Sequence, residues 1–337
     1  MNSLQIFSTR RSKGFFLAGL GAALTAALVV SLLIGSVKAD PRDIFAALLG
    51  WDRESTTARI ILYSRLPRTC AALLAGAALA VSGMVIQTVL NNPLASPSVI
   101  GVNSSAGFAV ALVCALFPTM QKHTPLIAFI GALAGVLLVM VLAQSTVAAR
   151  ITVVLAGVAI SNLFNAGIDA VVTLVPDALN SVTDFRIGGF TGVTMSQLAA
   201  PARIIAVSLV LLLTLSHQLD ILSLGTDTAK SLGLAVGRMR IVFLILAAAL
   251  AGAAVSFAGL LGFIGLIVPH IMRRLAGEDS GILLAATALG GAFFMVLCDL
   301  VARVLFSPFE IPVGIVLSFA GAPFFLWLLF RQRGGRV

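Results

Sequence analysis

The sequence predicts an all-α, polytopic membrane protein of about ten transmembrane helices, and three observations carry that expectation. Of 337 residues, 59% are hydrophobic and 10% charged, against about a quarter charged in an ordinary soluble domain. Apolar runs near bilayer thickness, roughly 20 residues each, recur along the whole length, as in 15–34, 126–142, 204–215 with its flanks, and 311–330. The short apolar/polar alternation of a membrane β-barrel is absent.

Polar, Gly/Pro-rich and charged punctuation divides the chain into its elements. Span 15–35 follows Arg10, Arg11 and Lys13 as a signal peptide would, but its apolar run is too long and no small-residue cleavage site follows it. It reads as a retained first helix with a cytoplasmic N-terminus. Span 66–90 opens with Pro67 in its first turn, where the missing N–H costs nothing. At about 37 Å it crosses with tilt and leaves Arg65 and Arg68 at the outer interface. The stretch QTVLNNPLASPSVIG, 87–101, then interrupts the apolar sequence with two Asn, two Pro and two Ser. Spans 99–117, 125–144 (with Gly131 and Gly135 as a GxxxG), 151–174, 199–217 and 239–260 follow. Span 263–273 is too short for a simple crossing, and 283–305 and 312–330 complete the set. Irregular backbone at membrane depth is tolerated only where protein or a water-filled cavity satisfies it, so the two discontinuities suggest a transport pathway. An even count places both termini on one side, and Arg331, Arg333 and Arg336 agree with the N-terminal cluster that this side is cytoplasmic. Residues 1–337 thus form a single transmembrane domain, with its longest cytoplasmic connection at 219–238. Arg65–Pro93 and Arg240–Pro269 form a faint internal repeat that would cross in opposite directions.

The formal charge of +9 does not indicate nucleic acid, because the positives spread over both faces with no basic helix or aromatic-interleaved patch. Little more than half of the 22 basic residues fall on the cytoplasmic side of this topology. Lys38, Arg42, Arg53, Arg65, Arg68 and Arg303 are among those left outside. Two readings of the last three stand: arginines snorkelling to headgroups, or cations awaiting a partner. Cys70, Cys114 and Cys298 form neither a disulfide framework nor a metal motif, and His123, His217 and His270 are equally dispersed. His270, directly after Pro269, reads as a structural hydrogen-bonding group. Asp169 and Asp299 are the acids nearest membrane depth; Asp299 has Arg303 at i, i+4, which favours pairing over proton relay. LSLGTDTAKSLG, 222–233, approaches a phosphate loop but has Ala229 where a Gly must precede Lys230, and its spacing is one residue short. Instead, Asp227 precedes a short amphipathic segment, Ala229–Val236, suited either to a soluble partner or to a solvated linker.

Taken together, RLPR at 65–68, Gly83 with Gln87, NPLASP at 92–97, LGTDTAKSLG at 224–233, GFIGLIVPHIMR at 262–273, D-x-x-x-R at 299–303, EIPVGI at 310–315 and GAPFF at 321–325 resemble the FecCD-type permease subunits of binding-protein-dependent ABC importers for iron–siderophores, haem and vitamin B12. The motifs run in family order across most of the chain. The resemblance implies ten helices per subunit, a second permease subunit, two cytoplasmic ATPases that carry ATP and Mg, and an extracytoplasmic substrate-binding protein, in the cytoplasmic (inner) membrane of a bacterium or archaeon. It implies no cofactor and no catalysis in this chain itself. By the same resemblance, Arg65, Arg68 and Arg303 match positions that meet acidic residues of the binding protein. Gln87, Asn92, Pro93 and Leu94 match the gate and pathway, and Gly225, Asp227, Ala229, Leu232 and Gly233 match the ATPase-coupling segment. Departures occur at Asn91, Ser105, Thr226 and the Asp279-Ser280-Gly281 turn. The competing class is an ion-coupled secondary transporter, which requires an ionisable group in its pathway.

Overall fold

Lipid tails are as apolar as leucine, so membrane helices select their neighbours by close fit and by hydrogen bonds rather than by hydrophobicity. A computed structural model describes residues 10–34, 55–98, 100–144, 149–307 and 309–333, and every regular element among them is helical. Both chain ends, with Lys38, Arg42 and Arg53, lie outside these residues. Helix α1 is Arg10–Leu33 and α2 is Thr56–Ile60; a π-helical turn, Ile61–Arg65, leads directly into α3, Leu66–Leu90. Then come α4 (Val102–Leu116), α5 (Thr124–Gln144), α6 (Ala149–Leu174), α7 (Leu179–Ile187) and α8 (Met195–Thr214). Two short helices follow, α9 (Ser216–Ser223) and α10 (Thr226–Ser231), and the chain continues through α11 (Val236–Ala258), α12 (Ile264–Ala276), α13 (Ser280–Val304) and α14 (Val313–Arg333). Six stretches among the described residues are long and apolar enough to cross a membrane: Ser12–Leu33, Thr56–Leu90, Leu155–Leu174, Met195–Thr214, Val236–Ala258 and Ser280–Val304.

Helix α3 is the hub, packed against α11, α12 and α13 and buried along most of its length. Its Ala/Gly-rich sequence makes this possible. A Cβ added at Gly76 would run into the Gly291 backbone of α13, and one added at Gly83 into the Gly265 backbone of α12. The GxxxG glycines of α5 serve the same purpose against Ser105 and Ala109 of α4. Ser82 adds a polar bolt, its hydroxyl donating to the Ala247 carbonyl of α11 at 2.6 Å.

The end of α11 explains why α12 is short. Gly259 (φ 69°) stops α11, and the freed backbone is tied to two other connections. Gly189 N–H donates to Ala258 O at 2.8 Å, Leu260 N–H to Phe185 O at 2.9 Å, and Gly314 N–H to Gly188 O at 3.3 Å. Phe263, also at positive φ (65°), then starts α12. The 13 residues of α12 rise only about 20 Å, short of the roughly 30 Å hydrocarbon thickness, in agreement with the eighth span as a discontinuity.

One expectation is corrected. Ala229–Val236 is not a continuous amphipathic segment: α10 ends at Ser231, and Gly233 at φ 82° turns the chain. Gly233 N–H donates to Lys230 O at 2.9 Å and Leu234 N–H to Ala229 O at 3.0 Å, the bond pair of a Schellman stop. A left-handed glycine ends the helix before the apolar pattern runs out.

Candidate functional site

The motif residues gather at the two ends of the bundle. At one end, which the sequence reading expects to face outward, Asp299 and Arg303 stand one turn apart on α13, and Arg68 faces them from the first turn of α3. Arg68 Nε donates to both oxygens of Asp299, at 2.9 and 3.2 Å, and its Nη1 donates to Glu310 Oε2 at 2.5 Å. Arg303 Nε reaches Asp299 Oδ2 at 3.1 Å, so the i, i+4 pairing expected from the sequence is present within a larger cluster. Further donors of Arg303 and of Arg65 reach the end of α1. Arg303 Nη2 donates to Ser31 Oγ (2.6 Å) and Nη1 to Ser31 O (3.1 Å) and Ile34 O (3.3 Å), while Arg65 Nη1 donates to Leu32 O (2.7 Å) and Leu33 O (3.1 Å). A helix leaves its last four carbonyls without partners and ends in partial negative charge. Among the described residues, the three guanidiniums thus face two carboxylates and the C-terminus of α1.

Arg65, Arg68 and Arg303 are only 5%, 8% and 3% exposed, and Asp299 is 0% exposed. These arginines do not snorkel to headgroups. They face inward, because acceptors inside the protein compensate for the water they give up. Ser31, Asp299 and Glu310 complete the cluster; of their bonds, only the Asp299–Arg303 pair could be seen in the sequence.

At the other end of α3, a second clamp holds the break. Gln87 donates from Nε2 to Gly265 O at 2.8 Å and accepts at Oε1 from Arg273 Nη1 at 2.6 Å, and Arg273 Nη2 donates to Thr88 Oγ1 at 3.0 Å. Asn91 (φ 50°) then stops α3, with Asn91 N–H on Thr88 O at 3.2 Å and Asn92 N–H on Gln87 O at 3.0 Å. Asn tolerates the left-handed region better than other non-glycine residues, which gives the departure at Asn91 a structural reason. Asn92 Oδ1 accepts from Leu94 N–H at 3.0 Å, closing a local turn. A polar cavity of about 260 Å³ lies here, lined by Gln87, Asn92, Pro93, Arg273 and Glu278 among others. Of the predicted gate residues, Gln87, Asn92 and Pro93 line it and Leu94 does not. Arg273 closes the GFIGLIVPHIMR motif at 262–273, but its partners lie 186 and 185 positions away and leave no local signal in the sequence.

The predicted coupling segment comprises α9, α10 and the turn after them. Asp227 and Leu232 are exposed, whereas Ala229 is buried. Gly225 (φ 104°) and Gly233 have open space where a Cβ would go, so conformation rather than room requires glycine there. The segment is tied to α13 by Asp220, whose Oδ1 accepts from Ser280 N–H at 2.8 Å, beside the Asp279 cap on Ile282 N–H at 3.1 Å. Asp220 carries no local signal in the sequence, because its partner Ser280 lies 60 positions away. Asp169 is exposed and paired with Arg186 at 2.9 Å, and His270 packs edge-on to Phe324 with ring centroids 6.0 Å apart. Among the described residues, no His/Cys/Asp/Glu group is arranged to hold a metal ion.

A model of the FecCD transport family matches residues 23–331. The chain belongs to this family. Among its FecCD relatives, the Fe(3+)-citrate import system permease protein YfmE of Bacillus subtilis is 36% identical over 325 residues, covering 96% of this chain and 97% of that one. The hemin transport system permease protein HmuU of Yersinia pestis is 36% identical over 318 residues, covering 92% and 95%. A solved inward-facing conformation of an ABC transporter assigned to the metal-chelate type superposes with a TM-score of 0.84 at 30% identity, covering 94% of this chain and 99% of that one. FecCD membership makes this chain a membrane transport protein rather than an enzyme.

Proposed function

We propose that this chain is the permease subunit of an ABC importer that carries an iron(III)–siderophore or related iron chelate into the cytoplasm by alternating access. The observation carrying this reading is the FecCD match over 23–331, together with relatives of nearly equal length that are import permeases for iron chelates. In this reading residues 1–337 are one permease domain in the cytoplasmic membrane of a bacterium or archaeon, with both termini cytoplasmic. Among the described residues, the six long apolar helices, the shorter apolar stretches of α4, α5 and α14, and the amphipathic α12 supply its ten spans.

The chain pairs with a second permease subunit, two cytoplasmic ATPases and an extracytoplasmic substrate-binding protein. ATP and Mg belong to the ATPases, whose cycle shifts the permease between outward- and inward-open states. Gly225, Asp227, Ala229, Leu232 and Gly233 form the ATPase seat, with Asp227 and Leu232 as its contact residues and Ala229 and the glycines setting its shape. Gln87, Asn92, Pro93 and Leu94 form the gate region. Arg65, Arg68 and Arg303 serve binding-protein docking by meeting its acidic residues, with Arg68 nearest the surface through its edge toward Glu310. The haemin relative makes haem a second candidate cargo, and vitamin B12 is the third. Ion-coupled transport is less well supported: Asp169 is paired at an exposed site, and Asp299 is held between two guanidiniums.

The test is uptake of radiolabelled ferric chelate by proteoliposomes holding the permease and its ATPase, with the binding protein supplied. ATP-dependent accumulation is expected, and Asp227→Ala with Gly233→Val is expected to abolish it while ATP hydrolysis continues. Accumulation driven by an ion gradient without the ATPase would overturn the reading.

A further inference from the structure

Arg68 holds two carboxylates of different kinds. Asp299 has a side chain 1% exposed, and it is shared with Arg303. Glu310 bonds the other edge of the guanidinium with a side chain 31% exposed. Glu310 lies outside any helix, in the connection between α13 and α14. The backbone there is fixed by Ile311 N–H donating to Ala302 O at 3.1 Å and Phe309 N–H to Phe306 O at 2.9 Å. Removing Asp299 from Arg68 would leave two buried guanidiniums without their common counter-ion. Glu310 only needs to swing outward, where water rehydrates its carboxylate. Beside it, Leu305, Phe306 and Phe309 present exposed apolar side chains.

We infer that Glu310 is a built-in competitor on Arg68: it occupies the outward edge of the guanidinium in the undocked permease, and an acidic side chain of the substrate-binding protein displaces it on docking. The inference rests on the outer corner being the docking face. Docking at Arg68 is then an exchange of one carboxylate for another rather than the making of a new ion pair. Affinity stays modest, and the returning Glu310 helps the emptied binding protein to leave. The same exchange reconciles a buried Arg68 already paired with two carboxylates with a role in recognising an acidic partner.

The experiment uses the assembled permease–ATPase complex in lipid nanodiscs and the fluorescently labelled substrate-binding protein of the same import system, titrated at several salt concentrations. Glu310→Gln is expected to lower Kd about fivefold at low salt, the scale of a partly exposed ion pair, and to steepen the salt dependence because the corner gains one net positive charge. Arg68→Gln is expected to weaken docking, and in the Arg68→Gln/Glu310→Gln double variant the gain disappears. If E310Q leaves Kd unchanged or raises it while R68Q weakens docking, the competitor role is refuted and the docking face stands. If neither variant changes Kd, the docking face itself is lost and the inference falls with it. Should E310Q elute aggregated, Glu310→Asp, which shortens the reach by one methylene and keeps the charge, is expected to bind tighter than wild type by a smaller factor, and the absence of that gain overturns the proposal.

Discussion

Replacing Asp299 by Asn keeps the size of the side chain and removes the one charge that Arg68 and Arg303 share. Three contacts between 2.9 and 3.2 Å change character: Arg68 Nε to both oxygens, and Arg303 Nε to Oδ2. The asparagine amide would present a donor to at least one of these donors. Removing one partner of a buried ion pair costs about 3–5 kcal/mol, because the remaining charge is left uncompensated. Arg68 keeps Glu310 and Arg303 keeps the α1 carbonyls, so the lower end of that range, about 3 kcal/mol, applies. Asp169→Asn is the matched control. That pair has the same 2.9 Å separation, but its side chains are 43% and 66% exposed, and such pairs contribute about 0–1 kcal/mol. Equilibrium unfolding of the purified protein in mixed SDS–detergent micelles measures both variants. If D299N loses no more stability than D169N, the corner is not a closed electrostatic unit and the reasoning fails.

The remaining predictions concern backbone geometry. Gly83→Val should separate α3 from α12 and break the Gln87–Gly265 bond, costing about 2–4 kcal/mol from overpacking and one lost hydrogen bond; Gly237→Ala, on a helix with open space at that position, should gain about 0.5–1 kcal/mol. The same unfolding assay tests both, and equal effects would contradict the close approach at Gly83. Asn91→Gly should change stability by no more than a few tenths of a kcal/mol, whereas Asn91→Val should cost about 1–2 kcal/mol for a β-branched residue in the left-handed region. Faster amide exchange over the last turn of α3 should accompany the Val variant and not the Gly variant.

Local pattern was enough to reveal the long apolar helices, the break after α3, the shortness of α12 and the Asp299–Arg303 pair, because each depends on residues within a few turns of one another, whereas the short α2, α7, α9 and α10 carry too little apolar pattern to be seen. The end of α10 departs from local pattern: apolar periodicity continues through Val236, but the positive φ of Gly233 ends the helix first. The gate clamp is half visible, since Gln87 and the Asn-Pro break stand out while nothing near Arg273 in sequence points to Gln87 as its partner.

What the sequence determined by itself was a lipid-embedded, all-helical chain with its breaks in particular places, since bilayer thickness and backbone hydrogen bonding act on contiguous residues. Tertiary structure decided the partners. Arg68 meets Asp299 across 231 positions, Gln87 meets Gly265 across 178, and Asp220 caps Ser280 across 60. Hydrophobicity does not select faces between helices that all sit in lipid; close approach at Gly76 and Gly83 does. Once those backbones touch, Arg65, Arg68 and Arg303 have carboxylates and carbonyls within reach, and they turn inward.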